Sequence, residues 1–558
     1  MVVKNSQMNP TGGATMLTGL EERKSEITIN HQMGQRRRWL FRTFVLTTLV
    51  IPVALFPVMT FATDLGPGCA TDRPAIAHHA GGVIVPPPKD ETAPIPCSTK
   101  TRYRTSEISV AITNQGTVLF QPAMATESTG LPIGLLRSTD QGATWNFVNP
   151  TNTPARTMAI DSNLWVDRDT GRIFWSNFNA YVMTLSDDDG KSWSTAAPIP
   201  MDFDHPQIFT GPPTASMKKL MGGYPNVVYL VVAGGGTCGS EKFCGAHLSK
   251  SLDGGLTWGP AVRLTYPPEC KFPGHQPVGA YGLNGVVGRD GTIYVPFTPC
   301  ERPYVAISHD EGQTFELSLV SNTETIGWGE LGLGMDKQGN LYTTWTDDAY
   351  RLPYLAISRD NGIHWSTPLM IAAPGVTEAA EPGLVVGATG QVAVTYYGSK
   401  NSPGVPFPPT CTTGASGTPP SVYTFEQPSL GCPAYISETW STYVTESFNA
   451  LAEQPLFWSA TLNDPSQPTW YGMTPTAVPI PGKPFPIGSD AEAEFAGPGG
   501  GGHVDYYGTT IAPDGTPWVG FFQECPFGLP VKGNSNCPRN LDGSSTDGLF
   551  GFVGRLVR

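Results

Sequence analysis

The sequence predicts an all-β fold, a β-propeller of four-stranded antiparallel blades, and three observations support this prediction. The 558 residues include 64 Gly and 54 Pro but only 15% charged residues, a composition typical of many short strands joined by turns. An eight-residue box recurs five times along the chain, and a strand–turn–strand unit recurs between the boxes. One unit plus one box supplies four antiparallel strands, which is the content of one blade.

The box has the pattern S-x-D-x-G-x-x-[WF]. Its five copies are STDQGATW (138–145), SDDDGKSW (186–193), SLDGGLTW (251–258), SHDEGQTF (308–315) and SRDNGIHW (358–365). We expect the Asp to cap its own turn, the Gly to take a positive φ and the aromatic residue to pack back under the hairpin. Each box therefore predicts a hairpin tip. A sixth, degenerate copy is expected at 443–458, where Asn449 replaces the Asp and the turn is longer.

The second repeat reads as strand, tight turn, strand. Six copies lie at 107–120, 161–175, 283–297, 330–345, 381–397 and 506–522, and a looser seventh lies at 204–231. Seven units predict seven blades, with a strand from near residue 100 closing the last one.

The five boxes resemble the Asp-boxes, or BNR repeats, of the sialidase superfamily, and the similarity covers roughly residues 100 to 558. The resemblance implies a propeller and a glycan-acting enzyme, although such boxes also occur in noncatalytic propellers. Sialidases have six blades, so a six-bladed propeller is the alternative fold.

Four segments are predicted along the chain. Residues 1–38 form a polar leader, 39–62 a signal sequence or membrane anchor, 63–100 a proline-rich linker, and 101–558 the propeller, with an insertion near 400–500. The second segment contains twenty residues without a charge (43–62), preceded by four arginines. This pattern fits either a cleaved signal or an uncleaved anchor, and both place the propeller outside the cytoplasm, secreted, periplasmic or membrane-anchored.

The ten cysteines all follow the apolar segment and fall into close pairs. The simplest pairing is Cys69 with Cys97, Cys238 with Cys244, Cys270 with Cys300, Cys411 with Cys432, and Cys525 with Cys537. We interpret them as structural disulfides, because no CxxC spacing indicates a zinc site. The net charge of −13 argues against a nucleic-acid partner. Membrane contact is predicted only through the N-terminal segment, and the oligomeric state is open.

A ring of polar residues is predicted at the propeller axis, because equivalent positions on successive inner strands converge there. Counting nine residues back from the turn glycines gives Glu107, Glu330, Glu381 and Tyr506, while Asp161 and Asp204 open the two less regular units. His205, His275, His503 and Asp505 lie in flanking loops that could overhang the same opening. Two interpretations remain. The polar groups satisfy exposed backbone, or converging carboxylates perform acid–base chemistry or bind a cation such as calcium.

The resemblance implies specific roles for some of these residues. Sialidases use an arginine trio for the substrate carboxylate, a Tyr–Glu nucleophilic pair and an Asp acid or base. Tyr506 or Tyr507, with Glu330 or Glu381, would match the nucleophilic pair, and Arg104 in YRTSEISV the first arginine. The other arginines considered, Arg156, Arg263, Arg302 and Arg351, fall in expected loops out of register with the ring.

The predicted function is that of an exported sialidase-like glycoside hydrolase of the exo-acting type, which removes terminal sugars from glycans. No cofactor is required for this chemistry, although calcium fits the acidic ring. The alternative is a noncatalytic propeller that binds glycan or protein at its axis.

Overall fold

A computed structural model describes residues 65–105, 108–122, 134–148, 162–177, 182–194, 197–199, 204–233, 246–264, 284–299, 302–325, 331–347, 349–402, 439–471, 508–525 and 548–558. The chain divides into two compact units, Met1–Thr63 and Asp64–Arg558, and all of these residues belong to the second.

The first strands of the second unit precede the repeats. They are β1 (Ile76–His79), β2 (Val83–Ile84) and β3 (Ile95–Arg104). Blade 1 contains β4 (Ile108–Ile112), β5 (Val118–Pro122), β6 (Leu136–Ser138) and β7 (Asn146–Phe147). Blade 2 contains β8 (Leu164–Val166), β9 (Ile173–Asn177), β10 (Val182–Ser186) and β11 (Ala197–Pro198). Blade 3 contains β12 (Asp204–Gly211), β13 (Val227–Ala233), β14 (His247–Ser251) and β15 (Val262–Arg263), with a short 3-10 helix at Met217–Leu220.

The remaining blades follow in chain order. Blade 4 contains β16 (Val286–Val287), β17 (Ile293–Phe297), β18 (Tyr304–Ser308) and β19 (Glu316–Leu319). Blade 5 contains β20 (Leu331–Met335), β21 (Leu341–Thr346), β22 (Pro353–Ser358) and β23 (Leu369–Met370). Blade 6 contains β24 (Glu378–Val386), β25 (Val392–Ser399), β26 (Thr439–Ser447), β27 (Phe457–Thr461) and the short β28 (Trp470–Tyr471). Blade 7 contains β29 (Thr509–Ile511), β30 (Pro517–Cys525) and β31 (Gly548–Val557).

The seven antiparallel sheets confirm the predicted fold. Six sheets have four strands each, and the sheet of blade 6 is wider. Every inner strand contacts the inner strand of the next blade, and β29 of the last blade contacts β4 of the first. The blades therefore close a ring of seven, and the six-bladed alternative is wrong.

The hydrophobic core lies between the blades rather than within any one of them. Along β9, Ile173 and Trp175 pack on blade 1, whereas Phe174 packs on blade 3. This alternation follows from the two-residue period of a strand, and both faces are buried because a neighbouring sheet covers each. It explains why central strands such as VVYLVVA at Val227–Ala233 are apolar without a polar face.

Glycine lets inner strands approach closely near the axis. A Cβ on Gly334 of β20 would lie 2.4 Å from Val386 Cγ2 of β24, and one on Gly211 of β12 would lie 2.2 Å from Val287 Cβ of β16. Both distances are shorter than any real carbon contact, so a larger side chain at either position would push two blades apart.

The last blade is completed by β3, a strand from near residue 100, as predicted. Strand β3 pairs antiparallel with β31, from Ile95 opposite Val557 to Arg104 opposite Phe550. The fourth strand of blade 7 thus comes from a part of the sequence more than four hundred residues away, because Arg555 is paired with Cys97.

The segment expected to be a proline-rich linker is part of the fold over its described residues. Strand β1 pairs with β27 and extends blade 6, and β2 pairs in turn with β1. Ala75, Ala77 and His78 of this segment are buried, and His78 Nε2 lies 2.7 Å from Ser459 Oγ. The segment covers an otherwise open sheet edge, which explains why its backbone is ordered despite the prolines.

The box hairpins have the predicted geometry. In the box at 308–315, Asp310 Oδ1 accepts the N–H of Thr314 at 2.9 Å, and Gly312 N donates to Ser308 Oγ at 2.8 Å. The same two bonds recur in the other four boxes. The glycines have φ between +73° and +92°, and the residue before each also has positive φ. Each aromatic residue packs on an interblade cluster.

Two boxes differ in detail and keep the same capping. In the degenerate sixth copy, Asn449 Oδ1 accepts the N–H of Leu456 at 2.9 Å, so the amide caps the longer turn as the carboxylate does elsewhere. In the box at 358–365, His364 Nδ1 lies 2.6 Å from Asp360 Oδ2, in the place that a Thr or Ser hydroxyl takes in the other boxes.

The predicted disulfide between Cys69 and Cys97 is present, and the partners in the other four pairs lie wholly or partly outside the described residues. So do segments 1–38 and 39–62 and most of the insertion near 400–500, of which 439–471 carries strands of blade 6. Within the described residues, no helix has the length and apolar character needed to span a membrane.

Removing the Cys69–Cys97 disulfide is expected to destabilise the ring closure. The bond links residues 28 apart and holds the start of β3, so the unfolded chain without it gains entropy worth about 3 kcal/mol. Thermal unfolding of Cys69→Ala/Cys97→Ala should show the loss. Either single variant should lose as much as the double one, since each removes the same bond, and unchanged melting of the double variant would contradict the prediction.

A buried carboxyl at the contact of blades 6 and 7 predicts a pH dependence of stability. Burial raises the pKa of Glu446 to about 8. The hydrogen bond from Gln391 Nε2, 2.8 Å long, lowers the pKa and offsets only part of this rise. Gln391 Nε2 also donates to Gly515 O of blade 7, at 2.8 Å.

The folded state thus keeps a proton on Glu446 that the unfolded state releases near pH 4.5. Its contribution to stability is complete below pH 4.5 and is lost as the pH rises towards about 8, with a slope of at most about 1.4 kcal/mol per pH unit. Urea unfolding of Glu446→Gln across this range should show a flatter profile than that of the parent. Parallel profiles would refute the assignment.

Candidate functional site

The inner strands all begin at one face of the propeller, opposite the boxes. The turn that ends β4 contacts the box of blade 2, where Thr117 Oγ1 donates to Asp189 Oδ2 at 2.7 Å. On blade 6, Ala450 of the degenerate box donates its N–H to Gly390 O at 2.9 Å, in the turn between β24 and β25. These turns follow the inner strands, so the inner strands end on the face that carries the boxes. They therefore begin on the opposite face. We call that face the mouth.

Strand β24 places a buried carboxyl at the mouth through a β-bulge. The register between β24 and β25 shifts between Ala380 and Gly383, and Glu381 lies in the shift with φ of +55°. Its side chain is 3% exposed. A positive φ is rare for a residue other than Gly, and such strained bulges are frequent next to functional sites.

The loop between β21 and β22 brings an arginine to the same place. Asp347 Oδ1 accepts the N–H groups of Ala349 and Tyr350, both at 3.0 Å, which folds the loop back on itself. Arg351 then takes a φ of +56° and is 4% exposed. Its carbonyl accepts the N–H of Ala379 at 2.7 Å. Arg351 on blade 5 is thereby fixed against the start of β24 on blade 6.

Glu378 is a second buried carboxyl at the start of β24, with 3% exposure. Burial raises its pKa, while a hydrogen bond from Ser402 Oγ to Oε2 and the charge of Arg351 oppose part of the rise. A carboxyl that is held towards its protonated form suits a general acid. Arg351, Glu378 and Glu381 together form the mouth cluster.

The mouth cluster holds two carboxyl groups and one guanidinium away from water. Burial disfavours the ionised form of a carboxyl, and the charge of Arg351 offsets part of this cost at Glu378. The arrangement therefore suits proton transfer to or from a substrate at the mouth better than it suits tight neutral packing.

Blades 1 to 3 use their polar inner residues differently. Asn163 Nδ2 donates to Gln207 Oε1 at 3.0 Å, and Asn163 Oδ1 accepts the N–H of Ile208 at 3.1 Å. Ser109 Oγ accepts the N–H of Leu164 at 2.8 Å. All three polar side chains are buried. This polar girdle of Ser109, Asn163 and Gln207 joins neighbouring blades and fits the interpretation in which axial polar groups satisfy backbone.

The structure describes four of the residues predicted for the site, one of them with its side chain. Glu381 belongs to the mouth cluster. Asp204 and His205 lie at the start of inner strand β12, and Arg104 at the end of β3 on blade 7, while their side chains are outside the described part. The other predicted positions lie outside the described residues: Glu107, Asp161, His275, Glu330, His503, Asp505, Tyr506 and Tyr507.

Sequence reasoning missed Glu378 and gave Arg351 no place in the ring. Counting back from the turn glycine assumes an even strand, whereas the bulge in β24 lengthens the path to the mouth. Glu378 lies three residues before Glu381. The sequence could have predicted it as a site residue only if the bulge had been anticipated. Arg351 comes from a neighbouring blade, a relation that repeat register does not contain.

Within the described ranges, no group of three or more His, Cys, Asp or Glu side chains is arranged to hold a metal ion. Calcium at the axis remains a prediction that concerns the acidic positions outside those ranges.

Comparisons with known proteins give distant similarity. The sequence matches no protein-family model. A xyloglucanase from Paenibacillus sp. is 24% identical over 254 residues, which cover 42% of this chain and 23% of the relative. This chain thus matches less than a quarter of the length of that curated relative.

Solved structures with a similar chain path include a Dyadobacter fermentans protein of unknown function, with a TM-score of 0.35, 12% identity, and coverage of 83% of this chain and 99% of that one. A mutant of the NanB sialidase from Streptococcus pneumoniae has a TM-score of 0.34, 12% identity, and coverage of 76% and 65%. The Niastella koreensis GH74 enzyme has a TM-score of 0.31, 14% identity, and coverage of 57% and 42%.

Replacement of Arg351 by methionine is expected to destabilise the protein more at pH 8 than at pH 5. Without the guanidinium, Glu378 is harder to ionise in the folded state, so the folded protein loses stability as the pH rises. Removing one member of a buried charged group costs about 3 kcal/mol. Arg359→Met is the matched control, since Arg359 is exposed and donates to Leu451 O at 2.6 Å. An equal pH dependence in both variants would contradict the mouth cluster.

Proposed function

We propose that the protein is an exported, sialidase-like glycoside hydrolase that acts on glycans at the mouth. The observation that carries the proposal is the mouth cluster, in which β24 and the loop before β22 bring two buried carboxyl groups and a buried guanidinium to the face where the inner strands begin. Glycoside hydrolysis requires a protonated carboxyl to assist departure of the leaving oxygen and a second group to stabilise or attack the sugar carbon. The distant relative named a xyloglucanase supports glycan as the substrate class.

Glu378 takes the role of general acid in this proposal, because burial raises its pKa and Ser402 orients it. Glu381 takes the second role, alone or as the partner of Tyr506 or Tyr507. Arg351 limits the rise of the Glu378 pKa and so makes its proton easier to transfer than burial alone would allow.

Export is the second part of the proposal. The apolar stretch 43–62 with its preceding arginines supports it. The Cys69–Cys97 disulfide supports it independently, because such bonds persist mainly in oxidising compartments.

A noncatalytic glycan- or protein-binding propeller is the second candidate. The polar girdle favours it, because Asn163, Gln207 and Ser109 are all engaged in joining blades rather than facing a substrate. The two candidates differ in turnover and therefore separate in one experiment.

The test compares hydrolysis by the parent protein with that by Glu378→Gln and Glu381→Gln. Substrates are an aryl sialoside, neutral aryl glycosides and xyloglucan oligosaccharides. Each variant should lose about a hundredfold in rate, the loss typical of removing acid–base catalysis, and the rate of the parent should fall as rising pH deprotonates Glu378. Glu316→Gln, an exposed carboxyl on β19, is the control that should keep full activity.

Circular dichroism of each variant establishes that it is folded. Turnover of the sialoside alone would support sialidase type, and turnover of neutral substrates another glycosidase. A parent rate equal to that of both folded variants on every substrate would leave the noncatalytic propeller.

A further inference from the structure

We propose that a cavity beside β3, lined by residues of blades 6, 7 and 1 and distant in sequence from the mouth cluster, binds the carboxylate or sulfate groups of an acidic polysaccharide. The cavity has a volume of about 360 Å³ and lies against β3, the strand that closes the ring. We call it the outer cavity and define it by Arg73, Lys100, Arg102, Asp464 and Gln523, which line it. Its volume falls in the range of small-molecule binding sites.

The charge of the outer cavity is opposite to that of the whole chain. Three cationic side chains and one carboxylate line it, whereas the chain has 34 basic and 47 acidic residues. Such a local reversal attracts anions to one place on a surface that otherwise repels them.

The cationic side chains of the outer cavity make few hydrogen bonds or ion pairs with the described residues. Within the described residues, neither the Lys100 nor the Arg102 side chain has a hydrogen bond or an ion pair. Arg73 donates Nη1 to the Asn463 carbonyl at 3.1 Å, which leaves its other donors available. Asp464 accepts the N–H and hydroxyl of Ser466, at 2.9 and 2.8 Å, and so is partly occupied by its own turn.

The backbone is distorted where it presents these cations. The pairing of β3 with β31 shifts register between Lys100 and Arg104, and Arg102 within the shift has a φ of +70°. A bulge changes the direction of the side chains it carries, and a positive φ is strained for a residue other than Gly. The bulge places Arg102 among the residues that line the outer cavity.

Neutral groups in the outer cavity complete a site for a sugar. Thr99 Oγ1 is buried and has no hydrogen-bond partner within the described residues. Ser98 and Gln523 also line the cavity and supply polar groups for sugar hydroxyls. Arginine forks bind carboxylate and sulfate oxygens in pairs, and lysine adds a point charge. The volume exceeds what one small ion needs, which favours an anionic group on a sugar unit.

The test measures binding of the full-length protein by calorimetry to polygalacturonate and chondroitin sulfate, with xyloglucan as the neutral polymer. Both acidic polymers should bind, and Lys100→Gln/Arg102→Gln should weaken binding by about tenfold or more, since two unpaired charges are removed. Lys218→Gln/Lys219→Gln removes the same charge from two exposed residues on blade 3 and should change binding less than about twofold.

Four results would overturn the proposal: no binding of either acidic polymer by the parent, equal weakening in the two double variants, inorganic sulfate binding as tightly as the polymers, or duplex DNA competing as well as they do. The outer cavity does not depend on hydrolysis. Its double variant should keep the parent's rate on any aryl glycoside that is turned over, so failure of this proposal and failure of the proposed function are separately visible.

Discussion

The pairing of β3 with β31 is the contact on which the rest of the fold depends. Seven blades enclose an axis only if the last meets the first, and blade 7 lacks an outer strand until β3 supplies one from the other end of the chain. The Cys69–Cys97 disulfide and the pairing of β1 with β27 hold the same N-terminal segment. The segment that sequence composition predicts to be a linker is therefore part of the closed propeller.

Closure also sets how closely the inner strands approach, and this spacing determines what the axis can hold. Gly211 and Gly334 leave no room for a Cβ between neighbouring blades, while Asn163 and Gln207 are long enough to bond across the gap between blades 2 and 3. Polar residues at similar positions in the repeat thus have different roles. In blades 1 to 3 they join sheets, and in blades 5 and 6 they bury charge at the mouth.

The bulges in β24 and β3 carry the features that distinguish this propeller from a regular one. Each is a register shift that contains a residue other than Gly at positive φ, Glu381 in one and Arg102 in the other. One bulge lies beside a buried group of opposite charges, and the other beside a cavity with surplus positive charge. In both places the regular pairing of the strand is interrupted, and a charged side chain takes a position that a strand without a bulge would not give it.

The sequence alone determined the blade count, the box hairpins and the strand that closes blade 7. These features depend on short-range repeats, in which Ser, Asp and Gly at fixed positions form the turns. The sequence also singled out Glu381. The pairing of Arg351 with the start of β24, the role of Glu378 and the outer cavity were decided only by the tertiary structure. Each joins residues on different blades or follows a bulge, and neither the distance between blades nor a shift of register leaves a periodic signal in the sequence.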